Sequence, residues 1–367
     1  MFRTLWMLLL LMLPLLSLPL AARDYAVQTL AEGLDHPWSL AELPDGRLLV
    51  SERRGRLWLL TPEGERTPVS GLPALATGGQ GGLLDLRLHP DFAANRLLYF
   101  SFSQPGPGGA GTAVARARLT DHRLERLQVV FEQVPKTHGR AHFGSRLAFD
   151  PEGYLFITTG DRYHSRHQAQ RLDNHLGKIL RLHDDGRVPA DNPFVETPGA
   201  LPEIWSLGHR NLQGAAIHPD SGELWTHEHG PQGGDEVNRI QRGANYGWPV
   251  VTFGEEYGGG TIGEGSRKAG MVDPLWVWVP SIAPSGMLFY TGEAFPGWRG
   301  HLFVGALVGR RLIRLELDGE RVTGEHHLLD ELGWRIRALH QAADGGIYVL
   351  TDENNGRLLK LVPAAGG

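Results

Sequence analysis

The sequence contains no cysteine. Disulfide bonds, thiol nucleophiles, iron–sulfur clusters and cysteine-ligated zinc are therefore excluded. An excess of one charge is missing too, because 36 basic and 41 acidic residues interleave and give a net charge of −5 at pH 7. This balance does not indicate a nucleic-acid partner. Helical periodicity is also scarce, so the pattern does not favour a helical domain.

One long apolar run is present, at the N-terminus. Arg3 supplies a positive start, residues 5–20 are almost wholly apolar, and the small residue Ala22 follows. This layout is typical of a secretory signal peptide. A membrane anchor is the alternative, since the run is near the length that spans a bilayer, but Pro14 interrupts it. We predict a signal peptide at residues 1–22 and a mature protein in the periplasm or outside the cell, without stable membrane insertion.

The 49 glycines and 24 prolines are spread along the chain, which is typical of many short strands joined by tight turns. One pattern recurs six times: an apolar strand, a turn of Asp, Pro or Gly, and a second apolar strand. The repeats are too long for a β-helix and too alike for two unrelated sandwiches. They predict an all-β fold, a single six-bladed β-propeller with four-stranded blades around a central channel, over residues 23–367. The copies lie at 38–50, 84–100, 147–157, 214–225, 285–304 and 336–349.

A propeller brings loops from different blades to the same mouth of its channel. Three insertions are longer than the rest, at 101–138, 159–206 and 226–279. Extra loop length on a rigid scaffold usually carries binding. We therefore expect the functional site to use these insertions.

Two histidine pairs have the spacing of metal ligands, His138 with His142 and His227 with His229. Either pair could chelate zinc from a helix or a strand. Gly139 and Gly144 argue against a helix around His142, which weakens this hypothesis. More informative are eight polar, glycine-flanked clusters near the ends of the predicted strands, at 79–82, 141–146, 159–162, 208–211, 228–231, 234–236, 245–249 and 334–337.

Taken in order, these clusters resemble the soluble PQQ-dependent aldose dehydrogenases of the glucose/sorbosone type, in particular their bacterial periplasmic branch. The most specific motifs are Gly-His-Arg-Asn at 208–211, Glu-His-Gly-Pro at 228–231 and Asn-Tyr-Gly-Trp-Pro at 245–249. The resemblance extends from about residue 30 to the C-terminus. It implies a six-bladed propeller, in agreement with the repeat count, and oxidation of aldose sugars at C1 to lactones.

The resemblance implies a role for each matching residue. His142 matches the catalytic base, and Asp161 matches the acid that orients it. Arg210 matches a residue that contacts the quinone oxygens and stabilises charge on the reduced cofactor. The further residues that match the cofactor pocket are Gln80, Asn211, Tyr257, Arg335 and Arg337.

Calcium is also implied, as a hard ion that accepts carbonyl oxygens. Gly230 and Pro231 match the carbonyl ligands of a calcium ion that polarises the PQQ carbonyl. Glu236 and the Tyr246 carbonyl match a separate calcium site. A solvated loop is the alternative interpretation of Glu236.

The sequence departs from the family at Val308, where relatives often carry a lysine that meets the cofactor. One positive contact is therefore missing unless Arg310 or Arg311 replaces it. The loops that form a dimer interface in some relatives are short here, so we expect a monomer. The substrate is expected to be a small sugar, and the electron acceptor a quinone, cytochrome or dye.

Two other functions fit a propeller. A calcium-dependent lactonase or esterase also uses histidine and carboxylates around calcium, but it does not need Arg210, Arg335 and Arg337 on the channel wall. A non-enzymatic propeller that binds a glycan or a protein does not need a base–acid pair.

Overall fold

The computed structural model describes residues 24–364. Its strands form six antiparallel sheets of four, as the repeats predict, and the all-β six-bladed propeller is confirmed. The predicted signal peptide, residues 1–22, lies outside the described residues. Within residues 24–364, no helix is both long and apolar enough to cross a bilayer.

Five blades consist of four consecutive strands each, and the sixth takes its outermost strand from the start of the chain; the strands of each blade are given from the channel outwards. The first blade is β2 Pro37–Glu42, β3 Leu48–Glu52, β4 Arg56–Leu60 and β5 Arg66–Pro68; the second is β6 Leu83–Leu88, β7 Leu97–Gly106, β8 Gly109–Thr120 and β9 Arg123–Glu132. The third is β10 Gly144–Phe149, β11 Leu155–Thr159, β12 Lys178–Leu182 and β13 Ile204–Leu207; the fourth is β14 Leu212–Ile217, β15 Leu224–Glu228, β16 Asp235–Arg239 and β17 Trp276–Trp278. The fifth is β18 Pro284–Phe289, β19 Leu302–Ala306, β20 Arg311–Asp318 and β21 Arg321–Leu328; the sixth is β22 Ile336–Gln341, β23 Ile347–Thr351, β24 Gly356–Pro363 and β1 Tyr25–Leu34.

The six sequence repeats are the two innermost strands of the six blades. These strands are rich in apolar residues because both of their faces are covered by neighbouring blades. Leu49 of the first blade and Phe100 of the second are fully buried in one shared cluster. The core is therefore a ring of such contacts between adjacent blades. Helix is confined to α1 Phe92–Asn95 and three 3₁₀ turns at Arg166–Gln170, Pro296–Trp298 and Asp330–Leu332 in the described part of the chain.

The expectation that all three long insertions carry binding loops is wrong for the first. Residues 101–138 are mostly strand, because β7, β8 and β9 are 10, 12 and 10 residues long. The apparent insertion is thus an extension of the second blade's own hairpins. The other two insertions do contain long loops, between β11 and β13 and between β16 and β17.

The ring is closed by strands from the two ends of the chain. β1 pairs antiparallel with β24, from Tyr25 opposite Pro363 to Leu34 opposite Gly356. The sixth blade is therefore complete only when both ends of the chain are in place.

A buried polar network crosses the channel. Asp85 on β6 accepts hydrogen bonds from Ser39 Oγ at 2.7 Å and from Arg146 at 3.2 Å. Arg146 on β10 also donates to the carbonyls of Gln213 on β14 and Arg337 on β22. Residues of five blades thus take part in the network, which lies beneath the mouth where the polar clusters gather.

Candidate active site

The polar clusters lie on one rim of the propeller, since innermost strands begin there and second strands end there. His142 precedes β10, Asp161 follows β11, and Arg210 directly precedes β14. A cleft of about 380 Å³ is lined by all three side chains, together with Trp248 and Tyr257 from the loop after β16. Residues that are far apart in sequence thus share one cleft.

His142 and Asp161 form the central pair of the cleft. His142 Nδ1 lies 2.7 Å from Asp161 Oδ1, and both residues are buried. Burial lowers the pKa of His142, against the raising effect of its bond to Asp161. Burial acts to raise the pKa of Asp161, but the hydrogen bond from His142 brings it below its usual range. A carboxylate only accepts, so Nδ1 carries the hydrogen and Nε2 is left as a base.

Two further donors hold the Asp161 carboxylate. Trp248 Nε1 donates to Oδ2 at 2.8 Å, and the backbone N–H of Tyr163 donates to Oδ1 at 2.8 Å. The orientation of the carboxylate, and through it that of the His142 ring, is therefore fixed on both oxygens.

The backbone around the pair is tightly packed. His142 has φ +51°, a left-handed conformation that side chains rarely adopt and that recurs at functional sites. A Cβ on Gly160 would lie 2.2 Å from the His142 carbonyl oxygen. Only glycine at 160 thus lets the Asp161 segment approach so closely. The glycine of the cluster at 159–162 has this physical cause.

Arg210 is anchored from below and directed into the cleft. Its backbone N–H donates to Glu228 at 2.5 Å, and its guanidinium donates to the carbonyls of His229 at 3.0 Å and Gly230 at 2.7 Å. The Tyr257 hydroxyl lies 3.4 Å from the same guanidinium, while the Tyr257 side chain is largely exposed. A fixed cation therefore lines the same cleft as His142.

A second cavity, of about 230 Å³, adjoins the cleft and is rich in arginine. Arg335 and Arg337 both line it, as strand alternation predicts, and so does Arg53, which the sequence interpretation missed. All three point at one carboxylate, that of Asp352, at 3.7, 2.5 and 3.9 Å. Burial alone would raise the pKa of Asp352, but Arg337 and Arg53 lower it to about 2. One carboxylate facing three guanidiniums leaves an excess of positive charge.

Some polar atoms of this cavity are buried without a hydrogen-bond partner among residues 24–364, namely Arg337 Nε and Asp352 Oδ1. Such atoms are costly unless something satisfies them. An anionic ligand can accept the hydrogen bond of Arg337 Nε, and water can do so when no ligand is bound. PQQ carries three carboxylates, so the residues present fit this cofactor.

Gln80 and Asn211 connect the cavity to the cleft. Gln80 Oε1 accepts from the His142 backbone N–H at 2.7 Å, and Asn211 Oδ1 accepts from the Gly144 N–H at 3.2 Å. Both side chains line the second cavity. The two residues predicted to contact the cofactor thus also hold the backbone segment of His142.

The segment whose carbonyls are predicted to bind calcium borders the cleft. Pro231 lines it, and the Gly230 carbonyl accepts from Arg210. A carbonyl oxygen has two lone pairs and can accept a metal as well. Asp235 holds this turn, since its carboxylate accepts from the N–H groups of Gly230, Ile282 and Ala283.

Glu236 and Tyr246 lie together, as predicted, on a void of about 10 Å³ that Glu228 also lines. A void of that size holds about one water or ion. Burial, with the neighbouring Glu228, raises the pKa of Glu236 to about 8. A cation would relieve this repulsion, so the donor set suits calcium. Glu236 is half-buried on strand β16, and its place in a strand does not fit the solvated-loop alternative.

The missing lysine is not replaced by the residues proposed for it. Arg310 donates to the Gly333 carbonyl at 3.2 Å, and Arg311 lies 2.8 Å from His327. Neither lines the second cavity, while Val308 is exposed. Arg53 directly follows β3, the second strand of its blade. Because second strands end at this rim, that position in the sequence could have identified Arg53.

The two histidine pairs do not come together as metal sites. His142 is engaged with Asp161, and His229 Nε2 lies 2.7 Å from the Pro284 carbonyl. In the part of the chain that the structure describes, no three His, Asp or Glu side chains converge as metal ligands.

Comparison with known proteins shows the family of the chain. The family model "Glucose / Sorbosone dehydrogenase" matches residues 34–360. The chain belongs to this family. Family members are sugar oxidoreductases, so the chain is an enzyme of that class, and the resemblance found in the sequence is confirmed.

Individual relatives cover nearly the whole chain. The aldose sugar dehydrogenase YliI of Escherichia coli is 47% identical over 345 residues, 92% of each chain. A solved glucose dehydrogenase superposes with a TM-score of 0.91 at 50% identity, covering 93% of this chain and all of the other. The PQQ-bound aldose sugar dehydrogenase of Streptomyces coelicolor gives a TM-score of 0.77 at 30% identity, covering 92% and 98%.

Proposed function

We propose that the chain oxidises aldose sugars at C1 to lactones, using PQQ as bound cofactor and passing the electrons to an external quinone, cytochrome or dye. The observation that carries the proposal is the adjacency of a buried His142–Asp161 pair and an arginine-rich cavity. The relative that was solved with PQQ bound supports it.

The second cavity would hold the cofactor. Arg53, Arg335 and Arg337 would bind its carboxylates, since guanidinium groups suit carboxylates geometrically. Arg210 and Asn211 would lie at its quinone oxygens, between the cavity and the cleft. When bound, PQQ supplies the acceptor for the hydride that leaves C1 of the sugar.

The chain's own residues handle the proton. A sugar in the cleft places its C1 hydroxyl against His142, whose Nε2 takes the proton as the C1–H bond breaks and the C1 carbonyl forms. The Asp161 carboxylate, 2.7 Å from Nδ1, stabilises the imidazolium. Arg210 offers fixed positive charge where negative charge develops.

Calcium is proposed at two places. The Gly230 and Pro231 carbonyls would hold one ion beside the cofactor. As a Lewis acid, this ion would make the cofactor a better hydride acceptor. Glu236 and the Tyr246 carbonyl would hold the second ion, beneath Arg210, where Glu228 adds negative charge.

The decisive experiment is an activity assay on purified residues 23–367. Apoprotein, protein with PQQ, protein with calcium and protein with both are given glucose, xylose or maltose and an artificial dye. We expect dye reduction only when both are added, and its loss on chelation of calcium with recovery on adding calcium back. Failure of every aldose together with an unchanged PQQ spectrum would overturn the proposal, and lactone hydrolysis without PQQ would replace it.

We also propose export to the periplasm and a monomeric state. Export rests on the signal-like residues 1–22, and the monomer on the short loops between blades. N-terminal sequencing of the native protein should begin at Arg23, and light scattering of the purified protein should give the mass of one chain. A start at Met1 or a dimer mass would contradict these proposals separately.

A further inference from the structure

An ion pair spans the sugar-facing cleft between its two long loops. Arg166, in the 3₁₀ turn Arg166–Gln170, lies 2.6 Å from Glu256, in the loop after β16. Both side chains line the cleft that also contains His142. We call the pair Arg166–Glu256 the clasp.

The backbones on both sides of the clasp are anchored. Lys178 Nζ donates to the carbonyls of Gln168 at 3.0 Å and Ala169 at 3.1 Å, which holds the turn. Gln170 Nε2 donates to the Trp248 carbonyl at 2.7 Å, which joins the turn to the second loop. The turn that carries Arg166 is thus held in place and is tied to the loop that carries Glu256.

The clasp itself is easy to open. The Arg166 and Glu256 side chains are 35% and 40% exposed, and ion pairs of that exposure contribute little to stability. A ligand that offers both hydrogen-bond donors and acceptors can therefore replace the contact between them at small cost. Adjacent hydroxyl groups of a sugar offer both.

Permanent charges on the cleft wall are balanced. Of the residues that line it, two are basic, Arg166 and Arg210, and two are acidic, Asp161 and Glu256. Asp161 is committed to His142, and Arg210 to backbone carbonyls. Of these four charged side chains, the two of the clasp are therefore the ones left to contact a ligand, and their charges cancel.

We propose that the clasp is a specificity determinant that selects uncharged sugars, an inference that rests on the proposed sugar oxidation. The hydroxyl groups of a neutral aldose donate to Glu256 and accept from Arg166. A hexuronate would pair with Arg166 but bring its carboxylate beside Glu256. A protonated hexosamine would pair with Glu256 but face Arg166, and like charges in contact are unfavourable.

The test compares kcat/KM for glucose, glucuronate and protonated glucosamine in protein loaded with PQQ and calcium. In Glu256→Gln we expect the glucuronate-to-glucose ratio to rise about three- to fivefold, since one exposed charge contact has been changed. In Arg166→Gln the glucosamine-to-glucose ratio should rise by a similar factor. The exchange of both residues, Arg166→Glu with Glu256→Arg, should return both ratios towards those of the unaltered protein.

Glu264→Gln is the matched control. Glu264 lies in the same loop and pairs with Lys268 at 2.7 Å, but it does not line the cleft, so both ratios should stay unchanged. Saturation-transfer NMR on protein without PQQ gives a second readout, the ranking of bound sugars, which should change in the same direction.

The outcomes separate the two proposals. Ratios that do not move in either single variant, with melting temperature and PQQ affinity retained, would overturn the clasp and leave sugar oxidation standing. Loss of folding in both single variants and in the exchanged pair would show a structural role and overturn it as well. Unaltered protein that oxidises no aldose would overturn both.

Discussion

The His142 imidazole is under opposing influences. Burial, and the positive charge of Arg210, lower its pKa, while the hydrogen bond and charge of Asp161 raise it. The net direction is downward from the ordinary value of about 6.5. The ring is therefore neutral at neutral pH, which a general base requires, and Asp161 prevents the pKa from falling further.

Replacing Asp161→Asn should lower turnover by about 10²–10³, because the imidazolium loses its stabilising charge. The raising effect on the pKa of His142 is lost too. We therefore expect the acid limb of the kcat/KM profile to move to lower pH, as measured by stopped-flow kinetics across about pH 4–8. Asp173→Asn is the control, since Asp173 pairs with Arg171 on the surface of the same loop. An acid limb that moves to higher pH would contradict the orienting role of Asp161.

Arg53 is the residue that we expect to compensate for Val308. Arg53→Gln should weaken PQQ binding at least about tenfold, because a mostly buried guanidinium on the carboxylate-binding wall is lost. Quenching of Trp38 and Trp248, which line the two cavities, reports the affinity without turnover. Arg310→Gln, an exposed arginine outside the cavity, should bind normally. Equal affinities in the two variants would remove Arg53 from the site.

Sequence patterns predicted the site residues at the rim of the propeller better than the contacts made deeper in its channel. His142 and Asp161 could be found because glycines mark where their segments touch, as at Gly160. Arg53 could not, since a single arginine has many ordinary places in a propeller. Trp248 lies in the motif at 245–249, but its hydrogen bond to Asp161 could not be predicted. Their roles depend on which residues of different blades lie close together across the channel, and local sequence does not show this proximity.

Strand β6 carries the acid that joins the blades. Asp85 is buried, and it accepts hydrogen bonds from Ser39 on β2, Arg146 on β10 and the Leu147 backbone N–H at 2.9 Å. Burial lowers the pKa of Arg146 to about 10, so this guanidinium stays charged at neutral pH. The innermost strands are thus fixed to one another beneath the cleft by an ion pair.

Asp85→Asn should destabilise the protein by about 3–5 kcal/mol, because it leaves the buried charge of Arg146 without its acid. Urea unfolding followed by circular dichroism measures the change. Asp318→Asn is the matched control, since its pair with Arg321 is exposed and should matter little. A stable Asp85→Asn protein would show that Arg146 does not need its acid.

Elements were largely predictable, and their lengths less so. The two innermost strands of every blade were found because coverage on both faces buries them throughout and makes most of their residues apolar, as in β3 and β19. Strands β8 and β9 were mistaken for a loop. β9 is the outermost strand of its blade and is largely exposed and polar, while β8 begins with Gly-Ala-Gly and carries Arg116 and Arg118. Both segments therefore resemble a loop in sequence.

The whole molecule is a closed ring, and its closure depends on the two ends of the chain. Leu361 and Leu359 on β24 are fully buried opposite Val27 and Thr29 on β1. Without β1, β24 becomes an exposed hydrophobic edge. Both sides of the active-site mouth rest on this ring, since Arg335 and Arg337 belong to the sixth blade and His142 to the third.

Deleting residues 24–34 should therefore lower the melting temperature by at least about 10 °C or cause aggregation. The deletion removes the strand that covers β24, and differential scanning calorimetry measures the loss. A synthetic peptide of those residues should restore part of it. A deleted chain that melts like the full one would show that β1 is dispensable for the ring.

A circular permutant separates ring closure from chain order. Tyr25 pairs with Pro363, so a short linker can join residue 364 to residue 24. New ends fit at Gly319, in the exposed turn between β20 and β21, where an added Cβ would meet nothing within 4 Å. We expect this permutant to melt within a few degrees of the natural order and to bind PQQ equally, because every strand pair is retained. A permutant that fails to fold would mean that the order in which strands are made, and not ring closure, sets stability.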